Sequence, residues 1–389
     1  MYDVIVSGAG PSGSAAALGC ARAGLSTLLL DKHRLPRSKC CAGGVLGRAL
    51  GNLGLTLPYD LVEREISGFT VVRDDFRKEV EFDRPAGVTV RRERFDNFLS
   101  KTAERAGAEI LDGVEIMRVH PSSRRVEVIT GGEEMSCRHL VIAEGAASRT
   151  AREVLGPYPR GGLAVGLASI VETEVDAGGS IEIHLMDTPT RRIGWGANFP
   201  LNGWMFPLDG AVNIGVVGMG VPKTDLRGSV ESIARGLSLD MGEIKTCSAP
   251  LPTVPRKRVV AGRCIAVGDA AGFVNQITGE GMSYALESGD LASRAVVDAI
   301  EKDNPDLLRV YQRGCDDHIL PDLRATALIG PVLHWLVGVV DTDRFFDIFC
   351  SDSLLVEECL GIANGEDSWT GLFRSCLRRF PRLFFSSLV

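Results

Sequence analysis

Three glycines and one aspartate near the start of the chain have the spacing of a dinucleotide site. The segment GAGPSG, residues 8–13, is a GxGxxG turn, and Asp31 follows it after one predicted helix and strand. Gly8 allows a tight turn, Gly10 lets the backbone approach a pyrophosphate, and Gly13 lets a helix pack closely on the strand. An acid at the end of the second strand can accept hydrogen bonds from a ribose diol. The sequence therefore predicts that a dinucleotide binds here.

A second acidic turn lies far along the chain, after another predicted buried strand. That strand, residues 263–267, runs into the turn GDAAG, and a later turn, GEGM, opens a long helix. Strands that end in small-residue turns meet at the carboxyl edge of one sheet, where such folds bind ligands. Asp269 could therefore accept hydrogen bonds from the ribityl hydroxyls of a flavin, and the N–H groups of Gly281 and Met282 could face its pyrimidine ring. The alternative role for Asp269 is a helix N-cap.

Composition excludes several classes of protein. The 389 residues have a net charge of -7 and 24% of them are charged, so the chain lacks the basic character that nucleic-acid binding needs. Ten cysteines without a CxxC pair or a Cys/His cluster predict reduced thiols and no metal site. No apolar run reaches the roughly 18 residues that span a membrane, and no signal peptide is present, so we expect a cytoplasmic protein.

Strand and helix periodicities divide the chain into regions. The alternation of Ser67–Phe82 predicts a strand pair with one wet face. Between residues 162 and 251 short β-rich runs replace helical periodicity, which predicts an inserted antiparallel sheet without helices. A long helix is predicted over Met282–Lys302, and the remainder of the chain is mostly helical.

Several motifs occur in an order that is typical of one class of flavoprotein. They are GAGPSG with its terminal acid, CAGG (41–44), RERFD (92–96), EGAAS (144–148) and GDAAG…NQITGEGM (268–282). In this order they resemble the FAD flavoproteins of the p-hydroxybenzoate hydroxylase fold. CAGG together with GWMFP (203–207) is similar, more narrowly, to the geranylgeranyl reductase family, which includes the archaeal digeranylgeranylglycerophospholipid reductases.

The resemblance implies an α/β fold class with three parts. These are a Rossmann-type FAD-binding domain, an inserted antiparallel β-sheet substrate domain and a helical C-terminal region. The predicted segments are 1–161 for the first part of the FAD-binding domain (with 66–90 giving strands to the substrate sheet), 162–251 for the substrate domain, 252–302 for the second FAD-binding part and 303–389 for the helical region.

The same resemblance implies which residues contact FAD. Besides Gly8 and Gly10 they are Ser12, Gly13, Asp31, Cys41, Ala42, Gly44, Arg92, Ile116, Asp269, Gly281 and Met282. Three positions depart from the family patterns. Glu144 stands in place of the aspartate of a DG motif, Gln276 in place of the proline of NP, and Asn202 in place of the tyrosine of YxWxFP. The last departure concerns the shape of the substrate tunnel.

The implied reaction is saturation of prenyl double bonds in an isoprenoid lipid by hydride transfer from reduced flavin. Trp204 and Phe206 alternate with Met205, so both point to one strand face, toward either an apolar ligand or a core. Cys41, in the family's CxGG motif, is the candidate proton source, and its alternative is a small buried hydrophobe. The alternatives for the whole protein are a flavin-dependent aromatic hydroxylase or halogenase, and a non-catalytic flavin protein that binds lipid.

The substrate class predicts an apolar tunnel that ends at the flavin. Its expected wall residues are Val165, Leu167, Ile181, Ile183, Trp195, Trp204, Phe206 and Ile214. A second GxGxxG is missing, so electrons come either from a ferredoxin-like carrier, which we favour, or from transiently bound NAD(P)H. In the tail, Phe373, Leu377, Phe380 and Phe384 are interleaved with arginines, which suits either peripheral membrane contact or packing on a core.

Overall fold

The structure of the chain is a computed structural model, and it describes residues 1–174, 176–186, 202–220, 222–239, 245–337 and 341–385. The strands, numbered in chain order, are β1 (Tyr2–Ser7), β2 (Thr27–Asp31), β3 (Gly44–Leu46), β4 (Arg64–Ile66), β5 (Gly68–Arg73), β6 (Phe76–Glu81), β7 (Gly87–Thr89), β8 (Glu109–Asp112), β9 (Ile116–Pro121), β10 (Val126–Thr130), β11 (Glu134–Ile142), β12 (Leu163–Glu172), β13 (Ser180–Leu185), β14 (Asn202–Leu208), β15 (Ala211–Gly218), β16 (Cys247–Pro252), β17 (Val260–Ala261) and β18 (Cys264–Ala266). The α-helices are α1 (Pro11–Arg22), α2 (Gly47–Leu53), α3 (Arg92–Arg105), α4 (Arg149–Leu155), α5 (Lys223–Gly236), α6 (Met282–Glu301), α7 (Arg309–Gly314), α8 (Leu320–Val337), α9 (Thr342–Ser351), α10 (Ser353–Asn364) and α11 (Trp369–Phe385).

The chain divides into two compact units, and each is discontinuous in sequence. The first unit comprises Met1–Ser38, Arg92–Leu163 and Leu251–Leu323, and the second comprises Lys39–Arg91, Ala164–Pro250 and Arg324–Val389. The second unit takes in residues 39–65, which the predicted domain scheme placed with the flavin domain.

The first unit is built on an eight-stranded sheet in the order β17-β18-β11-β1-β2-β8, with β10 and β9 attached beside β11. Strand β1 is apolar and lies between parallel partners, β11 on one side and β2 on the other, as expected of a strand covered on both faces. Strand β18 runs parallel to β11 in the same sheet. The turns after β1 and β18 therefore lie at the same carboxyl edge, as the sequence predicts for a Rossmann-type fold.

Helices α1 and α6 pack closely in this unit because small residues line their contact. A β-carbon on Gly289 of α6 would overlap the carbonyl oxygen of Ser12 in α1, and one on Gly19 would overlap the Ser293 hydroxyl. Helix α1 begins within the GAGPSG turn, and α6 begins at the last residue of the GEGM turn. The first turn of α1, at Ser12, therefore packs against the body of α6, at Gly289.

The second unit contains a seven-stranded sheet in the order β16-β12-β15-β14-β13-β5-β6. Strands β12, β15, β14 and β13 pair antiparallel in turn, β5 and β6 form an antiparallel pair, and β13 pairs with β5 in parallel. The alternation of Ser67–Phe82 thus correctly predicted a strand pair. A small sheet, β3-β7-β4, belongs to the same unit.

The prediction that residues 162–251 contain no helix is wrong. Helix α5 covers one face of the large sheet, and its Leu226, Val230 and Ile233 are buried against Met205 and Ile214. These three helix residues recur at the spacing i, i+4 and i+7, so one face of a helix is apolar. The signal was present in the sequence, but the surrounding strand patterns obscured it.

The C-terminal helices form a cluster of their own within the second unit. Phe345 of α9, Leu355 of α10 and Leu372 of α11 are buried together. Among the helices that the structure describes, none combines the length and the apolar character needed to cross a membrane.

Candidate flavin site

The glycine-rich turn after β1 has the shape that its sequence predicts. Gly8 has φ of 107°, and a β-carbon there would overlap the carbonyl oxygen of Ala143, so only glycine fits. A β-carbon on Gly13 would overlap the carbonyl oxygen of Gly8, which is the close helix–strand approach that this position requires. The side of Gly10 is open, since a β-carbon there would have the Arg37 guanidinium, at 3.7 Å, as its nearest group. An open glycine at a helix N-terminus leaves room for a pyrophosphate.

Asp31 ends β2 and is held by protein donors. Its Oδ2 accepts hydrogen bonds from the Ala9 N–H at 2.9 Å and from Arg37 Nε at 3.1 Å, and its Oδ1 accepts from the His33 N–H at 2.9 Å. Each carboxylate oxygen has two lone pairs, so Oδ1 can still accept a hydrogen bond from a ribose hydroxyl.

Arg37 and Asp96 complete this network, although the sequence predicted neither as a flavin contact. Arg37 Nη1 lies 3.1 Å from Asp96 Oδ2, and Arg92 binds both oxygens of Asp96 at 2.8 Å and 3.0 Å. Asp96 is fully buried, so the two guanidiniums compensate a charge that would otherwise be costly. The predicted contact Arg92 therefore acts with Asp96 and Arg37, and Arg37 carries positive charge to the edge of the glycine turn.

The GDAAG turn (268–272) lies beside the glycine-rich turn of residues 8–13, as predicted. A β-carbon on Gly268 would lie 2.7 Å from the Ser12 hydroxyl, and one on Gly281 would lie 3.6 Å from Asp269 Oδ1. Among the residues that the structure describes, none donates a hydrogen bond to the Asp269 carboxylate. The N-cap of α6 is Gly281, and Asp269 caps no described helix. The N-cap alternative for Asp269 is therefore wrong, and its carboxylate is available to a ligand.

Glu144, where the family has a DG aspartate, is engaged by hydroxyl groups of its own unit. Ser7 and Thr150 each donate to its Oε1 at 2.6 Å, and Ser148 donates to its Oε2 at 2.7 Å. Its carboxylate thus ties β1 to the start of α4. Gln276, the second departure, hydrogen-bonds the carbonyl oxygen of Thr253.

The CAGG and GWMFP motifs meet within the second unit through Asn213, a residue that no sequence motif marked. Asn213 of β15 is 4% exposed, and its Nδ2 donates to the carbonyl oxygen of Cys41 at 2.8 Å. Its Oδ1 accepts from Trp204 Nε1 at 3.1 Å. The amide therefore fixes the Cys41 backbone and the Trp204 indole with one side chain. The sequence did contain one sign of this role, because Asn213 is a single polar residue within the otherwise apolar run of β15.

Two glycines allow the aromatic side chains to lie where they do. A β-carbon on Gly44 would be 2.7 Å from Phe206 Cε1, and one on Gly215 would overlap the Trp204 indole. Trp204 pairs with Gly215 and Phe206 with Asn213 across β14 and β15, so all four residues share one sheet face. The prediction that Trp204 and Phe206 point the same way is confirmed, and that face adjoins the CAGG segment.

Part of the predicted tunnel wall faces the other way. Leu167 and Ile214 are buried in the cluster under α5, and Val165 packs against that cluster, on the face opposite Trp204. The strand register requires this separation, because Met205 pairs with Ile214 while Trp204 pairs with Gly215. Ile183 pairs with Trp204, and Ile181 lies two residues from Ile183 on the same face. The remaining wall prediction, residue 195, lies outside the described residues.

The remaining predicted contacts lie at ends of elements. Ile116 begins β9, Met282 begins α6, and Ala42 precedes β3. Cys41, Ala42 and Gly44 belong to the second unit.

These residues fit FAD. The open Gly10 and the Arg37 charge suit a pyrophosphate, Asp31 Oδ1 suits a ribose, and the Asp269 carboxylate suits ribityl hydroxyls.

Comparison with known proteins gives the same assignment. The family described as FAD binding domain matches residues 1–320. A menaquinone reductase of Mycobacterium tuberculosis (strain ATCC 25618 / H37Rv) is 33% identical over 339 residues, which covers 79% of this chain and 78% of the relative. A geranylgeranyl diphosphate reductase of Rhodobacter capsulatus is 30% identical over 325 residues, which covers 80% of this chain and 79% of the relative.

A solved structure shares the fold over almost the whole chain. It is a geranylgeranyl bacteriochlorophyll reductase-like protein from Thermoplasma acidophilum, with a TM-score of 0.79, 20% identity, and coverage of 98% of this chain and 97% of that one. The cofactor is FAD and the activity is that of an FAD-dependent oxidoreductase. The chain belongs to the FAD binding domain family and, within it, to the geranylgeranyl reductase family.

Proposed function

We propose that this flavin-dependent reductase saturates prenyl double bonds of an isoprenoid lipid. The observation that carries the proposal is the sheet face on which Trp204 and Phe206 lie against the CAGG segment. The residues that pair with them across β15, Asn213 and Gly215, are also uncharged. Such a face suits an apolar hydrocarbon next to the flavin-contacting segment, because each buried CH₂ group stabilises a complex by about 0.8 kcal/mol.

The chemistry requires a hydride, a proton and dry surroundings. Reduced FAD supplies the hydride when it is bound. An isolated alkene has no carbonyl to polarise, so the protein must position it and exclude water. Trp204 and Phe206 would do this with their rings, and the Cys41 thiol would hold the proton that the second alkene carbon receives. Asn213 fixes the Cys41 backbone, so the thiol starts from a defined position.

The names of the relatives support the same substrate class. Menaquinone and geranylgeranyl diphosphate have different head groups, a quinone ring and a diphosphate, and both carry a prenyl chain. The apolar face of Trp204 and Phe206 suits the prenyl chain, which is the part that the two molecules have in common. We therefore assign the reduction to the prenyl chain, with the head group unassigned.

An anaerobic assay with two substrates tests the proposal. Holoenzyme reduced chemically with dithionite is incubated with geranylgeranyl diphosphate or with menaquinone, and the products are analysed by mass spectrometry after exposure to air. Saturation of a prenyl bond adds two hydrogen atoms that survive air. Reduction of the quinone ring alone is reversed by air, because a quinol is reoxidised.

Each outcome has a distinct meaning. A stable gain of two hydrogen atoms, or of multiples of two, supports the proposal. A gain that disappears in air shows a ring reductase. Turnover that requires oxygen identifies a hydroxylase or halogenase. No turnover of either substrate, together with no turnover of prenyl lipid extracted from membranes, identifies a lipid-binding flavoprotein.

We further infer that α11 contacts the membrane from which the lipid is taken. One side of this helix packs in the C-terminal cluster through Trp369 and Leu372, whereas Leu377 is 53% exposed between the exposed Arg374 and Arg378. An exposed apolar side chain among arginines suits an anionic lipid surface. The side chains of Phe380 and Phe384 lie outside the described part of the chain.

Sedimentation with vesicles of anionic phospholipid tests this inference. We expect Leu377→Glu to reduce the bound fraction severalfold. Leu354→Glu is the matched control, because Leu354 is 56% exposed on α10 and should leave the bound fraction unchanged. Equal binding of the wild type and both variants would show that α11 is not the contact.

A further inference from the structure

Two cysteines that are far apart in the sequence meet in the second unit. Cys40 Sγ donates a hydrogen bond to the main-chain carbonyl oxygen of Cys247 at 3.3 Å, so the Cys40 thiol lies against residue 247. Cys247 is exposed on the edge strand β16, and Cys40 is half-buried. Both are free thiols in the structure. The structure therefore holds the Cys40 thiol at the main chain of Cys247, whose own thiol is accessible.

The surroundings of Cys247 favour its thiolate. The interaction with the neighbouring Cys40 thiol and the positive charge of Lys39 lower the pKa of Cys247 to about 7 against the opposing effect of burial. In its protonated form Cys247 Sγ donates to the carbonyl oxygen of Ala168 at 3.5 Å. The pKa of Cys40 is raised by the same interaction and by its burial, so Cys40 keeps its proton. A thiolate exposed to solvent beside a second thiol is the arrangement of redox-sensitive cysteines.

We propose that Cys40 and Cys247 form a reversible thiol–disulfide pair that is oxidised by hydroperoxides. This modification site lies outside the predicted flavin contacts, and the proposal does not depend on the identity of the lipid substrate.

The oxidation proceeds in two balanced steps. The Cys247 thiolate attacks one oxygen of hydrogen peroxide, so an S–O bond forms, the O–O bond breaks, and hydroxide leaves and takes a proton to become water. Cys247 is then a sulfenic acid. Cys40 Sγ attacks Cys247 Sγ, so the S–S bond forms, the S–O bond breaks, and the hydroxyl leaves with the Cys40 proton as a second water. The two sulfurs lose two electrons and the peroxide gains them, and an external dithiol reverses the reaction.

The disulfide would act on the segment that contains the CAGG motif. Cys40 precedes Cys41, whose carbonyl oxygen is already bound by Asn213 of β15. Oxidation would join the same segment covalently to β16. The freedom of residues 39–44 would then depend on the redox state of the thiol pair.

Mass spectrometry of the holoenzyme tests the proposal. The protein is treated near neutral pH with stoichiometric hydrogen peroxide, quenched with acid, alkylated in denaturant and digested without reduction. We expect a peptide pair linked through Cys40 and Cys247, an intact protein lighter by two hydrogen atoms, and recovery of both thiols after treatment with dithiothreitol. Cys40→Ser should leave Cys247 oxidised but unlinked, and Cys247→Ser should leave Cys40 reduced.

The chain contains a matched control pair. Cys359 and Cys376 also lie near each other in the second unit, but burial raises their pKa values to about 12 and about 11, so both should stay reduced. The proposal is overturned if Cys247 oxidises no faster than Cys359. It is also overturned if Cys247 links to Cys41 rather than to Cys40, or if its oxidation is not reversed by dithiothreitol.

Discussion

Cys41 differs from its neighbour Cys40 in the partner that holds it. Its backbone carbonyl is fixed by Asn213, and its side chain is half-buried. If this thiol supplies the proton, Cys41→Ala should lower the rate of prenyl saturation about a hundredfold, since general acids contribute at least that much. FAD content and the rate of flavin reduction should not change. These quantities are measured by absorption spectra and single-turnover product analysis. Full activity of Cys41→Ala would make Cys41 a packing residue only.

Trp204 makes two separable contributions. Its ring lies over Gly215, and its Nε1 donates to Asn213. Trp204→Ala removes both and should lower kcat/KM for a prenyl lipid about tenfold or more, while FAD content stays intact. Trp204→Phe keeps an aromatic ring and loses one hydrogen bond, which costs about 1 kcal/mol. Trp204→Phe should therefore retain most of the activity. Loss of FAD or of folding in Trp204→Ala would instead identify Trp204 as cofactor wall or core.

His139 of β11 predicts a pH dependence of stability. Burial, with contributions from Arg263 and Arg138, lowers its pKa to about 4, whereas an unfolded histidine titrates near 6.5. As the pH falls between these values the unfolded chain binds a proton that the folded chain does not, so the free energy of unfolding decreases. His139→Leu should remove a contribution on the order of 2 kcal/mol to that decrease. Urea titrations between pH 7 and pH 5 measure it, and parallel pH profiles of wild type and variant would contradict it.

Among the elements, β3 is constrained by the aromatic face of β14. Gly44 opens β3 directly under Phe206, so Gly44→Ala should destabilise the protein by about 1–3 kcal/mol through overpacking. Gly51→Ala is the matched control, because Gly51 lies inside α2 with no atom near its β-carbon position. That change should be neutral or stabilise by up to about 1 kcal/mol. Urea unfolding compares the two, and equal effects would show that Phe206 moves aside without cost.

The elements also show what could be predicted from the sequence. The GxGxxG turn, its strands and the second acidic turn were predictable because each rests on residues close together in the chain. The pairing of Arg37 with Asp96 was not, since the two lie 59 positions apart and nothing local marks them as partners. Asn213 was missed for a related reason: its two hydrogen bonds go to residues on other elements. Helix α5 was not predicted, so nothing in the sequence analysis covered the sheet face opposite Trp204. Leu167 and Ile214, which are buried under α5, were therefore placed on the Trp204 face.

For the molecule as a whole, the source of electrons is a further prediction. The sequence has one GxGxxG turn, and that turn belongs to the FAD site. We therefore expect NADPH alone to reduce the flavin slowly, and a reduced ferredoxin-like carrier to reduce it rapidly. Anaerobic stopped-flow measurement of the visible flavin absorption compares the two donors. Reduction by NADPH that keeps pace with turnover would identify a pyridine nucleotide as the donor.

The Asn213 hydrogen bond has a consequence for how this enzyme could diversify. Because the amide binds the main-chain carbonyl of residue 41, it requires no particular side chain there. Evolution or a saturation library could exchange the thiol for another group while the backbone stays anchored. The side chain at position 41 can therefore change while the main chain that carries it stays hydrogen-bonded to Asn213. New chemistry could be sampled there without rebuilding the fold.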